Sequence, residues 1–281
     1  MKSIKYLLLI TTASLLFFVS CKNDKPKEIP EKEVVVVKSN LLEENVSYIA
    51  DTTALNGFVV YDETIKTKMP VVLVVHEWWG LNDYVRGRAD QLARLGYVAF
   101  AADMYGDGQV ADSPEQASKL MNGVLADFPA AEARLAAAFA QIQANPGVDP
   151  NRITAIGYCF GGAMALHAAR TGMPLAGVVS FHGALGSAHK PAPASVKAKI
   201  LVLHGAEDAL VPSADVAAFK REMDTAGADY EFVAYPGALH GFTNPDATAK
   251  GKQYGLPLAY DRATDERSWA DMLRFFERIG A

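Results

Sequence analysis

A doubly wound α/β fold with a mostly parallel sheet, edged by an antiparallel pair of N-terminal strands, is what this chain predicts, on three observations. Short apolar, β-branched runs recur along it; longer segments with helical spacing lie between them; and residues able to do chemistry sit just after several of the runs.

The elements follow in order. Residues 45–50 and 56–61 alternate apolar and polar, with the turn-like 51–54 between them, and read as an antiparallel starter pair. After Pro70, residues 71–75 are continuously apolar and β-branched, as a strand buried on both faces of a parallel sheet must be. Comparable runs occur at 98–102, 153–157, 176–181, 200–203 and 231–235. Helical spacing fills 84–95, 113–125, 130–144, 162–170, 213–226 and 265–279. Strand and helix alternating in this way wind a sheet with helices on both faces, and no internal repeat is visible.

Composition narrows the function classes. The chain has 281 residues, 50% of them hydrophobic, and a net charge of −5 with no block of consecutive basic residues, so nothing suits it to grip nucleic acid. Two cysteines, Cys21 and Cys159, allow no disulfide framework. At the N-terminus Lys2 and Lys5 precede an apolar run from 6 to 19, and Ser20 and Cys21 follow: a charged region, an apolar region shorter than a membrane span and a small residue at a cleavage point. The stretch 18–21, Phe-Val-Ser-Cys, resembles a bacterial lipoprotein box, with Phe18 where Leu is usual. That resemblance implies acylation of Cys21 and an exported protein tethered to the bilayer of the cell envelope. The expected organisation is a signal peptide over 1–21, a polar linker over 22–42, too charged to fold alone, and one domain over 43–281. The run 34–37, all valine, is compatible with either the first strand of the fold or a surface segment.

Ligands of an open parallel sheet bind beyond the carboxyl ends of its strands. Four positions there carry chemistry: Glu77 to Trp79, Cys159, Asp208 and His240. Gly157-Tyr158-Cys159-Phe160-Gly161-Gly162 follows one strand and opens a helix, the form of a nucleophile elbow with Cys in place of Ser. Flanking glycines suit so tight a turn, and the helix N-terminus favours a thiolate and a developing oxyanion. Asp208 and His240 each follow a strand, in the chain order nucleophile, acid, histidine. His240 would move the proton between thiol and leaving group while Asp208 holds its tautomer; Glu207 is the adjacent competitor for the acid role. A zinc helix is the poorer reading of His76-Glu77-Trp78-Trp79, because Gly80 stands where a second ligand is needed, and neither metal nor cofactor is expected.

On the Cys elbow, Asp208, His240 and the segment His76-Glu77-Trp78-Trp79-Gly80-Leu81-Asn82 followed by Arg86 and Arg88, the body over 45–279 resembles the dienelactone hydrolase family, of the α/β-hydrolase type. The resemblance implies a hydrolase of small ester or lactone substrates working through a thioester acyl-enzyme. In it the glutamate matching Glu77 holds the resting thiol, and the backbone N–H groups of Trp78 and Phe160 form the oxyanion hole. Trp79 and Phe242 are expected to line the substrate pocket. The family's arginine clamps for a substrate carboxylate are missing: no Arg lies between Arg94 and Arg134, and 241–249 contains no basic residue. The natural substrate is therefore expected to differ from a small anionic lactone. The competing reading, a lipid-anchored binding protein on the same fold, sits poorly with an intact trio.

Overall fold

In the computed structural model, residues 40–281 are described. Cys21 and the expectations of a signal peptide and a lipid anchor lie outside them. The elements in chain order are β1 (Leu41–Ala50), β2 (Thr53–Asp62), β3 (Met69–Val75), α1 (Asp83–Ala93), β4 (Val98–Ala102), α2 (Pro114–Leu125), α3 (Phe128–Ala144), β5 (Val148–Tyr158), α4 (Phe160–Arg170), β6 (Gly177–Phe181), β7 (Lys199–Gly205), α5 (Ser213–Ala226), β8 (Tyr230–Tyr235), α6 (Ala247–Tyr254) and α7 (Arg262–Ile279). One eight-stranded sheet has the order β1-β2-β4-β3-β5-β6-β7-β8. The β1/β2 and β2/β4 pairs are antiparallel, and every later pair is parallel.

The expected starter pair is present, but β1 begins at Leu41, so the last two residues assigned to the linker pair with Tyr61 and Asp62 at the far end of the hairpin. Burial follows the pleat. Val71, Leu73, Val75, Phe100 and Ala155 point into one apolar cluster with α3, α4 and α5, while Val72, Val74, Ala99, Ala101 and Ile156 point into another with α1 and α7. Two cores separated by one sheet explain why β3 and β4 are apolar at every position rather than at alternate ones. Helix starts carry their expected signals: the Asn82, Ser113, Asp127 and Asp261 side chains each accept a hydrogen bond from a first-turn backbone N–H.

Strand order reverses at β3, whose neighbours are β4 on one side and β5 on the other. Connections leaving β3 and β5 therefore diverge, opening a crevice at their carboxyl ends.

Candidate active site

Cys159 occupies the junction of β5 and α4 with φ 55° and ψ −115°, a region that side-chain-bearing residues avoid. The surroundings enforce it. Cys159 N–H donates to the Phe181 carbonyl at 3.0 Å, and its own carbonyl accepts from Ala163 N–H at 3.2 Å as the first bond of the helix. A Cβ on Gly157 would lie 2.0 Å from the Gly161 carbonyl oxygen, and one on Gly161 would lie 2.2 Å from that of Val75. Both positions thus require glycine for close approach.

His240 sits in the loop between β8 and α6, buried, with Nδ1 2.8 Å from Asp208 Oδ2. The other Asp208 oxygen, Oδ1, accepts from Leu210 N–H at 2.9 Å, so the carboxylate is fixed at both ends. Asp208 is buried whereas Glu207 is exposed, which separates the two acids the sequence left in competition. Nε2 of His240 has no hydrogen-bond partner of normal geometry among the described residues, and Cys159 acts on the ring electrostatically. Burial pulls the imidazole pKa down, but the Cys159 charge, then the bond to Asp208, outweigh it and push the value up to about 10. Three loops distant in sequence therefore bring Cys159, His240 and Asp208 together.

Behind His240 lies a buried polar layer that the sequence did not reveal. The His182 ring stands 5.1 Å from that of His240, and its Nε2 is 2.7 Å from Thr243 Oγ1, which also meets Tyr84 Oη at 2.7 Å. Burial, then the charge of His240, hold the His182 pKa well below its usual range, so that ring stays neutral. Arg88 closes the layer, donating to the Thr243 carbonyl at 2.7 Å and to Asp265 at 2.5 Å. Arg88→Met, which strands the half-buried Asp265 carboxylate and the buried Thr243 carbonyl, is expected to lower unfolding free energy by about 2–4 kcal/mol. Arg88→Lys should recover little of that, because one ammonium cannot serve the carbonyl and the carboxylate with a guanidinium's fork. Urea unfolding of the two variants beside the parent measures both effects.

Glu77 follows β3 and is buried, with Oε2 accepting from Asn244 Nδ2 at 2.6 Å. The hydrogen bond from Glu77 to the thiol that the resemblance implies is not formed; the carboxylate is held by Asn244 instead. Burial raises the Glu77 pKa above 4.5, opposed first by the Asn244 bond and then by the charges of His240, Lys250 and Arg88. The folded state thus binds this proton more tightly than the unfolded chain, so stability from this group falls as pH rises above about 4.5. Glu77→Gln, which cannot ionise, is expected to be more stable than the parent at pH 7. The gain should vanish below about pH 4.5, and thermal melts across that range test the sign.

The backbone N–H groups of Trp78 and Phe160 donate to no other group among the described residues, as an anion site requires. Tyr105 Oη anchors the Trp78 carbonyl at 2.8 Å, and the Tyr105 ring stacks on Phe160 at 5.7 Å. Asp103 in turn accepts from the N–H groups of Tyr105, Gly106 and Gly108, shaping the loop after β4.

Above these groups opens a crevice of about 690 Å³. Trp78 and Trp79 both line it, as do Cys159, Phe160 and His240. Phe242, expected there, does not: it is fully buried, packing edge-on against His182 and Tyr235 in the core beneath, where its whole ring leaves water. Two cations lining the crevice were missed, Arg170 at the end of α4 and Lys250. Lys250, one residue beyond the stretch found free of basic side chains, stands on α6 with Nζ 4.4 Å from the Trp79 ring centre.

Comparison with known proteins agrees with this arrangement. Residues 55–280 match the model of the dienelactone hydrolase family. An Escherichia coli (strain K12) protein that bears a provisional carboxymethylenebutenolidase name is 30% identical over 226 residues, covering 75% of this chain and 78% of that protein. Protein usf of Aquifex pyrophilus is 30% identical over 196 residues, covering 67% of this chain and 84% of the relative. Among solved structures, a dienelactone hydrolase-like promiscuous phosphotriesterase from metagenomic libraries superposes with a TM-score of 0.79 at 36% identity, covering 85% of this chain and 98% of that one. A family match across nearly the whole sheet, the same fold in a solved relative and a loop-built site at the strand ends point one way, and the chain belongs to the dienelactone hydrolase family, as a carboxylic ester hydrolase of that type.

Proposed function

We propose that the protein cleaves esters or lactones through a Cys159–His240–Asp208 triad and a thioester acyl-enzyme. The observation that carries the reading is the Asp208–His240 bond directed at the elbow cysteine from two other loops. The Cys159 thiolate attacks the carbonyl carbon, and the resulting oxyanion accepts hydrogen bonds from Trp78 and Phe160 N–H. On collapse the carbon–oxygen bond breaks and the leaving alkoxide takes the proton from His240 Nε2, which Asp208 steadies as imidazolium. Water then attacks the thioester, His240 accepts its proton, and thiolate and acid are released. A lactone follows the same steps with the alcohol still tethered to the acyl group.

An imidazole that keeps its proton up to about pH 10 is a ready acid for the first collapse. Esters should be preferred over amides, because thiolate departs more readily than an unprotonated amine and an amide adduct falls back. The chemistry is tested by mixing protein with an activated ester, quenching within one turnover and weighing the protein. A mass gain equal to the acyl group on the peptide containing Cys159 is expected; turnover with no such adduct would remove the thioester.

The substrate we propose is not a small dicarboxylate-like lactone. Arg170, which lines the crevice, is committed to Glu222 and the Leu185 carbonyl, and Arg88, beneath His240, to Thr243 and Asp265. Neither presents a free guanidinium fork to clamp a carboxylate. We further propose that acylation of Cys21 tethers the enzyme to a membrane outside the cytoplasm, on the strength of its signal-like N-terminus. Full-length protein should enter the detergent phase on temperature-induced separation and Cys21→Ala protein the aqueous one; equal partition would dispose of the anchor.

A further inference from the structure

The crevice is longer than the chemistry requires, and its direction is set by one helix. Phe160, Ala163, Met164, His167 and Arg170 all line it. Their spacing of three and four places them on a single face of α4, so the cavity runs along the helix from its N-terminus, beside Cys159, almost to its last residue. At about 1.5 Å per residue, Cys159 to His167 spans about 12 Å, the reach of an extended chain of roughly eight to ten carbon atoms.

The opposite wall is apolar. Met121 and Leu125, one turn apart on α2, and Phe128 at the start of α3 face the same space, and Leu210, 50% exposed, stands at the rim. The charged groups at the far end are paired: His167 Nε2 lies 2.8 Å from Glu132 and Arg170 is bound to Glu222 at 2.6 Å, while His167 Nδ1 is left buried without a partner among the described residues. Nothing charged and free in this arm asks for a charged partner.

The second arm lies on the His240 side, where Gly241, Asn244, Lys250, Leu256 and Leu258 line the cavity. His240 must hand its proton to the leaving oxygen, so the departing alcohol occupies this side. The acyl group stays bonded to Cys159, from which the α4 arm starts.

From this, and resting on the hydrolase reading above, we infer that the α4 arm is an acyl channel and that the enzyme prefers esters of extended, uncharged aliphatic acids of roughly eight to ten carbons. Each methylene drawn from water into the channel contributes about 0.8 kcal/mol, roughly fourfold. Part of that is lost to ordering the chain. A rise of about 30-fold or more in kcat/KM from acetate to octanoate is therefore the expected result with p-nitrophenyl esters, which hold the leaving group constant.

Leu125→Trp, which puts a bulkier side chain into the channel from α2, should bring the octanoate-to-acetate ratio close to one. A second series fixes acetate and lengthens the alcohol. A flat or falling acyl series, or a length preference only in the alcohol series, overturns the inference. Binding to Cys159→Ala protein separates this from failure of the hydrolase reading, since it needs no chemistry. Calorimetry should find 2-decanone bound at least about tenfold more tightly than 2-butanone, with Leu125→Trp abolishing the difference. Cleavage of no ester together with that binding pattern would leave the channel standing and remove the catalytic reading. Equal binding of the two ketones would remove the channel.

Discussion

Cys159→Ala is expected to lower kcat for an activated ester by about 10⁴-fold, while leaving the fold intact. The size of the loss follows from the absence of a substitute: Tyr158 and Phe160 flank the sulfur, no second thiol lines the crevice, and Ser187, the one hydroxyl residue in its lining, belongs to the loop after β6 and not to the elbow. Residual activity would come from the Trp78 and Phe160 donors and from binding alone. Stability should move little, because Ala replaces a half-buried thiol and inherits the same φ of 55° rather than relieving it. Cys159→Ser is the informative companion. With the charge of Cys159 gone, one of the main influences holding the His240 pKa near 10 disappears and that value should fall. The imidazole becomes a better base but faces a hydroxyl far less acidic than a thiol, and a loss of about 10²-fold or more is expected. Steady-state turnover with NMR titration of His240 measures both. Parent-like turnover in either the Ala variant or iodoacetamide-treated protein would sink the nucleophile assignment.

Sequence made the site largely legible because its parts lie where a parallel sheet ends its strands. The eight strands were all anticipated, the first two from their alternation of apolar and polar residues and the others from short apolar, β-rich runs. Boundaries moved where the periodic signal thinned: β5 starts at Val148 rather than 153, its early residues Asp149, Pro150 and Asn151 lying outside any apolar pattern. Helix α6 was missed for a related reason. Its sequence, ATAKGKQY, buries only Ala247 and Gly251, so no apolar stripe announces it, and Lys250 went unnoticed with it. Asn244 and Thr243 could not be singled out, because their roles come from contacts with Glu77, Tyr84 and His182 more than 60 positions earlier. The loop holding Asp103 and Tyr105 was within reach. It follows β4 as the other site segments follow theirs, and the same rule of reading beyond strand ends, applied there, finds it. Phe242 went astray because proximity to His240 in sequence says nothing about which side of the loop a ring takes.

Gly157→Ala should be the most damaging single methyl group that can be added to this protein, lowering unfolding free energy by roughly 4 kcal/mol and kcat/KM by about 100-fold or more. The added carbon would stand 2.0 Å from the Gly161 carbonyl oxygen and 2.7 Å from Gly162 N. Those atoms belong to the helix backbone, so no side-chain rotation relieves the clash; the first turn of α4 must move away from β5. That movement carries Phe160 N–H and the Cys159 sulfur with it, which is why activity falls beyond what instability alone explains. Gly161→Ala should act alike from the other side, because its carbon would press on the Val75 carbonyl oxygen at 2.2 Å, at the root of the loop bearing Glu77 and Trp78. The contrast is with Gly87 and Gly123, inside α1 and α2, where an added carbon meets nothing within 4 Å. Alanine at either is expected to stabilise by about 0.5–1 kcal/mol, since only the helix propensity changes. Denaturant unfolding and ester turnover on the four variants measure both effects, and an elbow variant as stable and active as Gly123→Ala would show that the turn does not need its glycines.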